Sequence, residues 1–345
     1  MRSLSLWFGI LPAAFLLVFL LPGSVEAQNN VPDALGTVNA SSISCPNGGM
    51  RGTACYALDV SCPRIQDYTV YLKTFAPRQS PVGVVTLTQG GTAVTLYESY
   101  TYGSVTIQDL VDAGFLAVEI DYGRPFSFVE EGWQTNANGA GVRAASCRFA
   151  TVTAWIKNQL SPTVPLCATG NSAGGQQIAE GLAHYGLDQY LAFAELTSGP
   201  PFSRTDEACI HLAPPNREYC SGSFIGMDVG VSNAQLFIDP AYPSGWCSQD
   251  LESHTDNHQL TFLNDSVLSP DASLSYPAMS VWFLYGGTDT SAAINQGEAY
   301  RSQISSSTQA SCVHNASHNM ADSLSGAKRI ASDIIQKCQQ RHRPQ

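Results

Sequence analysis

The chain has 345 residues, 28 of them acidic and 17 basic, for a formal net charge of -11. Only 13% of residues are charged, about half the usual share, and the acidic surplus argues against nucleic acid and anionic membrane surfaces as partners. Beyond the first 27 residues no stretch is apolar enough for a stable membrane anchor, and the remainder is ample for one large α/β domain with insertions or two smaller ones.

Residues 1–27 read as a secretory signal peptide. Arg2 gives a positive start, Leu6 to Leu21 is apolar but broken by Pro12, and Val25-Glu26-Ala27 ends in a small residue. All ten cysteines (Cys45, Cys55, Cys62, Cys147, Cys167, Cys209, Cys220, Cys247, Cys312 and Cys338) follow that point. An even number in an exported chain predicts up to five disulfides. Cys45, Cys55 and Cys62 are close enough to staple residues 28–64, a polar N-terminal extension with a turn at Asn47-Gly48-Gly49. No C-x-x-C pair or His-Cys cluster has zinc spacing, so neither a metal nor a cofactor is expected. Asn39, Asn264 and Asn315 open glycosylation sequons, consistent with export.

A single α/β domain is expected over residues 65–338, with a flexible tail at 339–345. Tyr68 to Phe75 alternates like a strand, and Gly83 to Thr88 is a buried strand running into Gln89-Gly90-Gly91. Val105 to Ala113 has helical spacing and stops at Gly114; Phe115 to Ile120 is a second buried strand. Val142 to Leu160 is a long helix with Ala145, Phe149, Val152, Ile156 and Leu160 on one face and Arg143, Arg148 and Lys157 off it. Val164 to Ala168 and Leu191 to Leu196 are further strands, with a helix through Ile178 and Leu182 between them. From about 200 to 275 no period is sustained, which predicts an insertion over the sheet. A strand at Ala278 to Tyr285, a short one near 311–313 and a helix over 320–338 complete the chain. Buried strands alternating with amphipathic helices make a mostly parallel sheet covered on both faces, with its ligand site at the carboxyl ends of the strands.

The chemistry-bearing residues each fall just after a strand. Gly170-Asn171-Ser172-Ala173-Gly174 lies between strand and helix, the setting in which a G-x-S-x-G turn exposes its serine as a nucleophile. A serine hydroxyl needs a base, and the base needs a carboxylate to set its tautomer. His318, on the loop before the last helix, is the chosen base, and Asp289, behind Gly286-Gly287, is the chosen acid, with Asp265 as the fallback. His314 reads as a structural histidine. The backbone N–H groups of Ala173 and of Gly90 or Gly91 are expected to hold the oxyanion.

The order Ser172, Asp289, His318 resembles that of the α/β-hydrolase superfamily over most of residues 65–338. The Gly-Asn-Ser-Ala-Gly-Gly turn is similar to that of hormone-sensitive-lipase-like esterases and carboxylesterases. Those enzymes usually have an acid at the place of Asn171 and a His-Gly-Gly-Gly segment where this chain has Gln89-Gly90-Gly91-Thr92. The resemblance implies a secreted hydrolase acting on small-molecule or polymeric esters. A peptidase on the same fold, a polyester or plant-wall ester depolymerase, and an inactive binding protein are the alternatives. Phe202 and Trp246 in the insertion are candidate pocket residues. Glu119, Asp121, Glu130 and Glu131 are expected at surface or turn positions, Asp206 beside Arg204 as a surface pair, and Lys337 to Arg343 as a solvated basic end. Oligomeric state is not legible.

Overall fold

Short strands buried on both faces run through the middle of the chain, and they assemble into one sheet. A computed structural model describes residues 31–123, 132–210, 220 and 226–340; residues 1–27, expected from the sequence to be a signal peptide, Glu130, Glu131 and residues 341–345 lie outside the described residues. The strands are β1 (Thr37–Ile43), β2 (Ala54–Ser61), β3 (Tyr68–Phe75), β4 (Gly83–Thr88), β5 (Phe115–Asp121), β6 (Leu166–Asn171), β7 (Phe193–Thr197), β8 (Ser280–Gly286) and β9 (Ser307–Val313). Their order is β1-β2-β3-β5-β4-β6-β7-β8-β9. The first four neighbours pair antiparallel up to β3–β5, and every pair from β5–β4 onward is parallel.

The helices are α1 (Gly103–Asp112), α2 (Gly141–Gln159), α3 (Ala173–His184), α4 (Thr205–Ala208), α5 (Val231–Phe237), α6 (Trp246–Ser253), α7 (Gln259–Asn264), α8 (Ala293–Arg301) and α9 (Leu324–Gln340). Successive strand residues point to opposite faces, so each central strand feeds two cores. Val84, Ala168, Ala194, Val281 and Phe283 join the core with Phe149 of α2 and Ile178 of α3. Val85, Cys167, Phe193, Trp282 and Leu284 join the core with Ile107 of α1 and Ile334 of α9. Among the described residues no helix is long and apolar enough to cross a membrane.

Several sequence expectations need correction. Within the N-terminal extension, β1 and β2 continue the same sheet. β1 lies at the sheet edge and buries no residue fully, so it carries no apolar alternation to read. Cys45 bonds locally to Cys55, but Cys62 bonds to Cys147 on α2, 85 residues away. The other pairs are Cys167–Cys338, Cys209–Cys247 and Cys220–Cys312. Arg148 is fully buried rather than off the core face of α2. Its guanidinium donates to the carbonyls of Trp133 (2.8 Å), Thr135 (2.6 Å) and Gln66 (2.9 Å), and burial lowers its pKa to about 10. Strand β9 is longer than expected, α8 was not foreseen, and α9 starts at Leu324 after a single 3-10 turn at Met320–Asp322.

Candidate active site

Strand order decides where a cleft opens. From β4 the chain goes to one side to form β5 and then crosses to the other side to form β6. The loops leaving β4 and β6 therefore diverge, and their carboxyl ends flank a topological switch point. Gln89-Gly90-Gly91 leaves β4 there and Ser172 leaves β6 there.

The serine turn is tighter than the sequence suggested. β6 runs to Asn171 and α3 starts at Ala173, so Ser172 alone makes the turn, at φ 52° and ψ -115°. Such a conformation in a residue with a side chain costs of order 1–3 kcal/mol and persists only where the surroundings impose it. The surroundings are visible in the glycines. A Cβ on Gly170 would lie 2.4 Å from the Gly174 carbonyl carbon, and one on Gly174 would lie 2.6 Å from the Thr88 oxygen. Both obstacles are backbone atoms and cannot swing aside. Gly174→Ala is accordingly expected to destabilise the fold by about 1–3 kcal/mol, read as a lower urea midpoint.

Ser172, Ala173, Gly90, Gly91, Phe202 and His318 all line one cavity of about 770 Å³. His318 Nδ1 lies 3.0 Å from Asp289 Oδ2, and Asp289 is almost fully buried. Burial alone would raise the Asp289 pKa; the hydrogen bond and charge of His318, with the Ser291 N–H, hold it below the ordinary carboxylate range instead. Ser291 also places its Oγ 3.0 Å from the same Nδ1, so one ring nitrogen faces two partners. That leaves the Nε2 edge of the imidazole for other groups.

Asn171 is the hub of the site. Its Oδ1 accepts the Met320 N–H at 3.2 Å and the Thr197 hydroxyl at 3.1 Å, and its Nδ2 donates to Asn319 Oδ1 at 3.5 Å. The residue before the serine is thereby tied to the end of β7 and to the loop that carries His318. Sequence reasoning noted Asn171 only as a departure from related turns. Ser291 had a weak signal, two residues after Asp289, whereas Tyr100, which also lines the cavity, had none.

The remaining candidates are distributed differently. The Gly90 N–H donates to the Tyr100 hydroxyl at 2.9 Å, which removes it as an oxyanion donor. The N–H groups of Gly91 and of Ala173, the first residue of α3, have no partner among the described residues. Trp246 is not a pocket residue: it starts α6 and stacks on His258 at 4.4 Å. Phe237 and Ile238 in the insertion line the cavity in its place, beside Phe202. Asp265 faces a different cavity, bonded to the Tyr242 hydroxyl, and burial raises its pKa to about 7. Glu119 and Asp121 are fully buried in β5, not at the surface. Burial, with the nearby Glu98 charge, pushes Glu119 up to about 8. Asp206 is buried beneath a bidentate pair with Arg204 (2.8 and 2.6 Å), and His314 is exposed. Lys337 lies over the Trp282 ring, 4.6 Å from its centroid, rather than free in solvent. The sequon residues Asn39, Asn264 and Asn315 are all exposed.

No protein-family model and no curated protein matches this chain. Among solved structures it is similar to Est1E from Butyrivibrio proteoclasticus, at 12% identity over 81% of this chain and 98% of that one, with a TM-score of 0.49. A cold-adapted esterase from an Arctic intertidal metagenomic library is similar at 16% identity, 86% and 99% coverage and a TM-score of 0.47. A thermostable esterase from Pseudomonas putida ECU1011 matches at 13% identity, 90% and 84% coverage and a TM-score of 0.48. Parallel strands β4 to β9 turn at the end of β6 into a helix through one strained serine. By that architecture the chain has the α/β-hydrolase fold.

Proposed function

We propose that this protein is an exported serine hydrolase of carboxylic esters, with Ser172 as nucleophile, His318 as general base and Asp289 as the carboxylate that orients it. One observation carries the proposal: a His318–Asp289 bond of 3.0 Å holds the imidazole in the wall of the cavity that Ser172 also lines from its strained turn. In the first step Ser172 Oγ attacks the ester carbonyl carbon and gives its proton to His318 Nε2. The carbonyl oxygen takes the negative charge and is held by the N–H groups of Ala173 and Gly91. Collapse breaks the bond to the alcohol oxygen, which leaves with the proton from His318. Water then repeats the sequence on the acyl-enzyme, returning the acid product and free Ser172. Asp289 stays ionised throughout and stabilises the imidazolium.

Export is supported by the five disulfides, which persist in oxidising compartments, and by the signal-like first 27 residues. Purified protein lacking residues 1–27 is expected to hydrolyse short p-nitrophenyl esters, to leave peptide anilides intact, and to be labelled by a fluorophosphonate on Ser172 alone. Faster anilide than ester cleavage would make it a peptidase. Absence of both labelling and turnover would make it no serine hydrolase at all.

A further inference from the structure

Tyr100 follows the 3-10 turn Tyr97–Ser99 and lines the same cavity as Ser172 while remaining 93% covered, with 7% of its surface exposed. Its phenolic oxygen accepts the Gly90 N–H at 2.9 Å. The Asn171 amide flanks the same glycine, since a Cβ on Gly90 would lie 3.4 Å from its Nδ2, and a backbone group settles which end of that amide is which. The Met320 N–H, which can only donate, reaches one end of the Asn171 amide at 3.2 Å. That end is therefore the oxygen, and the end that meets Asn319 and flanks Gly90 is the NH2 group.

Tyr100 thus accepts the Gly90 N–H, and the Asn171 group nearest that glycine is a donor as well. A phenol hydrogen cannot be given to an N–H donor, so it is directed at neither the Gly90 N–H nor the Asn171 NH2 group. The space left to it is the cavity shared with Ser172. Proximity follows from Gly90, where a Cβ would lie only 3.1 Å from the Ser172 Cβ. Burial holds the phenol pKa far above its ordinary value, so the hydrogen stays on the oxygen at neutral pH.

We propose that Tyr100 is a catalytic residue whose hydroxyl donates a hydrogen bond to the oxyanion of the tetrahedral intermediate, taking the place of the Gly90 N–H that it occupies. The inference rests on the ester-hydrolase function proposed above. No proton is transferred: the O–H bond stays intact, and the donor serves both acylation and deacylation. The pre-set polarity matters because a donor already aimed at the developing charge needs no reorganisation when that charge appears.

Tyr100→Phe tests it. The variant is expected to lose about 100-fold in kcat on p-nitrophenyl acetate with KM changed by less than about two-fold, and to bind a trifluoromethyl ketone analogue of the intermediate more weakly by the same factor. Replacing Tyr100 with 3-fluorotyrosine and 3,5-difluorotyrosine keeps the shape and makes the hydroxyl a stronger donor, so kcat is expected to rise along that series. A Phe variant within about three-fold of the parent kcat, or a fluorotyrosine series with a flat rate, would overturn the role of Tyr100. If instead the parent protein neither turns over esters nor takes the fluorophosphonate on Ser172, the ester-hydrolase function itself falls, and Tyr100 with it.

Discussion

Ser172→Ala is expected to lower kcat on p-nitrophenyl esters by at least about 10⁴-fold while leaving the melting temperature close to that of the parent. The two halves of that expectation have separate causes. The hydroxyl is the group at the turn that forms the acyl-enzyme in the proposed reaction, and alanine has none. Stability, by contrast, depends on the backbone, and alanine meets the same steric cost as serine at φ 52° and ψ -115°. Ser172→Gly separates the effects further. Glycine adopts positive φ without a Cβ clash, so this variant is expected to be as inactive as the alanine form yet more stable by about 1 kcal/mol. Chemical denaturation of the three proteins checks the order Gly above Ala and Ser. A glycine variant less stable than the parent would mean that the turn stores no strain.

Removing the Cys167–Cys338 bond, by changing both residues to alanine, is expected to cost the fold about 5 kcal/mol, the largest effect of any single disulfide here. This bond closes 171 residues and joins β6, the strand that presents Ser172, to the end of α9. Opening so long a loop gives the unfolded chain more freedom than opening a short one. Loss of Cys45–Cys55, which spans 10 residues, is expected to cost about 2–3 kcal/mol. Denaturation midpoints under non-oxidising handling of the variants give the ranking directly, and equal losses for the two pairs would contradict the loop-length account. The Cys167–Cys338 variant is also expected to lose ester hydrolysis at a lower temperature than the parent, since unfolding there releases the nucleophile strand.

How much of this was legible in the chain follows physical lines. Central strands such as Gly83–Thr88 are buried on both faces, so their residues form continuous apolar runs that local inspection finds. Edge strand β1 pairs through its backbone and leaves its side chains exposed, so nothing in TVNASSI marks it. Glu119 and Arg148 misled for the opposite reason. Charge in a sequence implies solvent, and here a backbone N–H from Glu98 and a set of backbone carbonyls, respectively, stand in for water.

By itself the sequence determined the alternation of strands and helices, the single position at which a serine turn needs glycines on either side, and the loops on which His318 and Asp289 stand. It did so because those features are local: period, turn sterics and residue type act over a few neighbours. Only the tertiary structure decided which cysteines pair, that Gly90 spends its N–H on Tyr100, that Trp246 stacks on His258 instead of lining the cavity and that Ser291 shares the imidazole with Asp289. Hydrogen-bond direction and disulfide partnership join residues tens to hundreds of positions apart, and the chain records them only once it has folded.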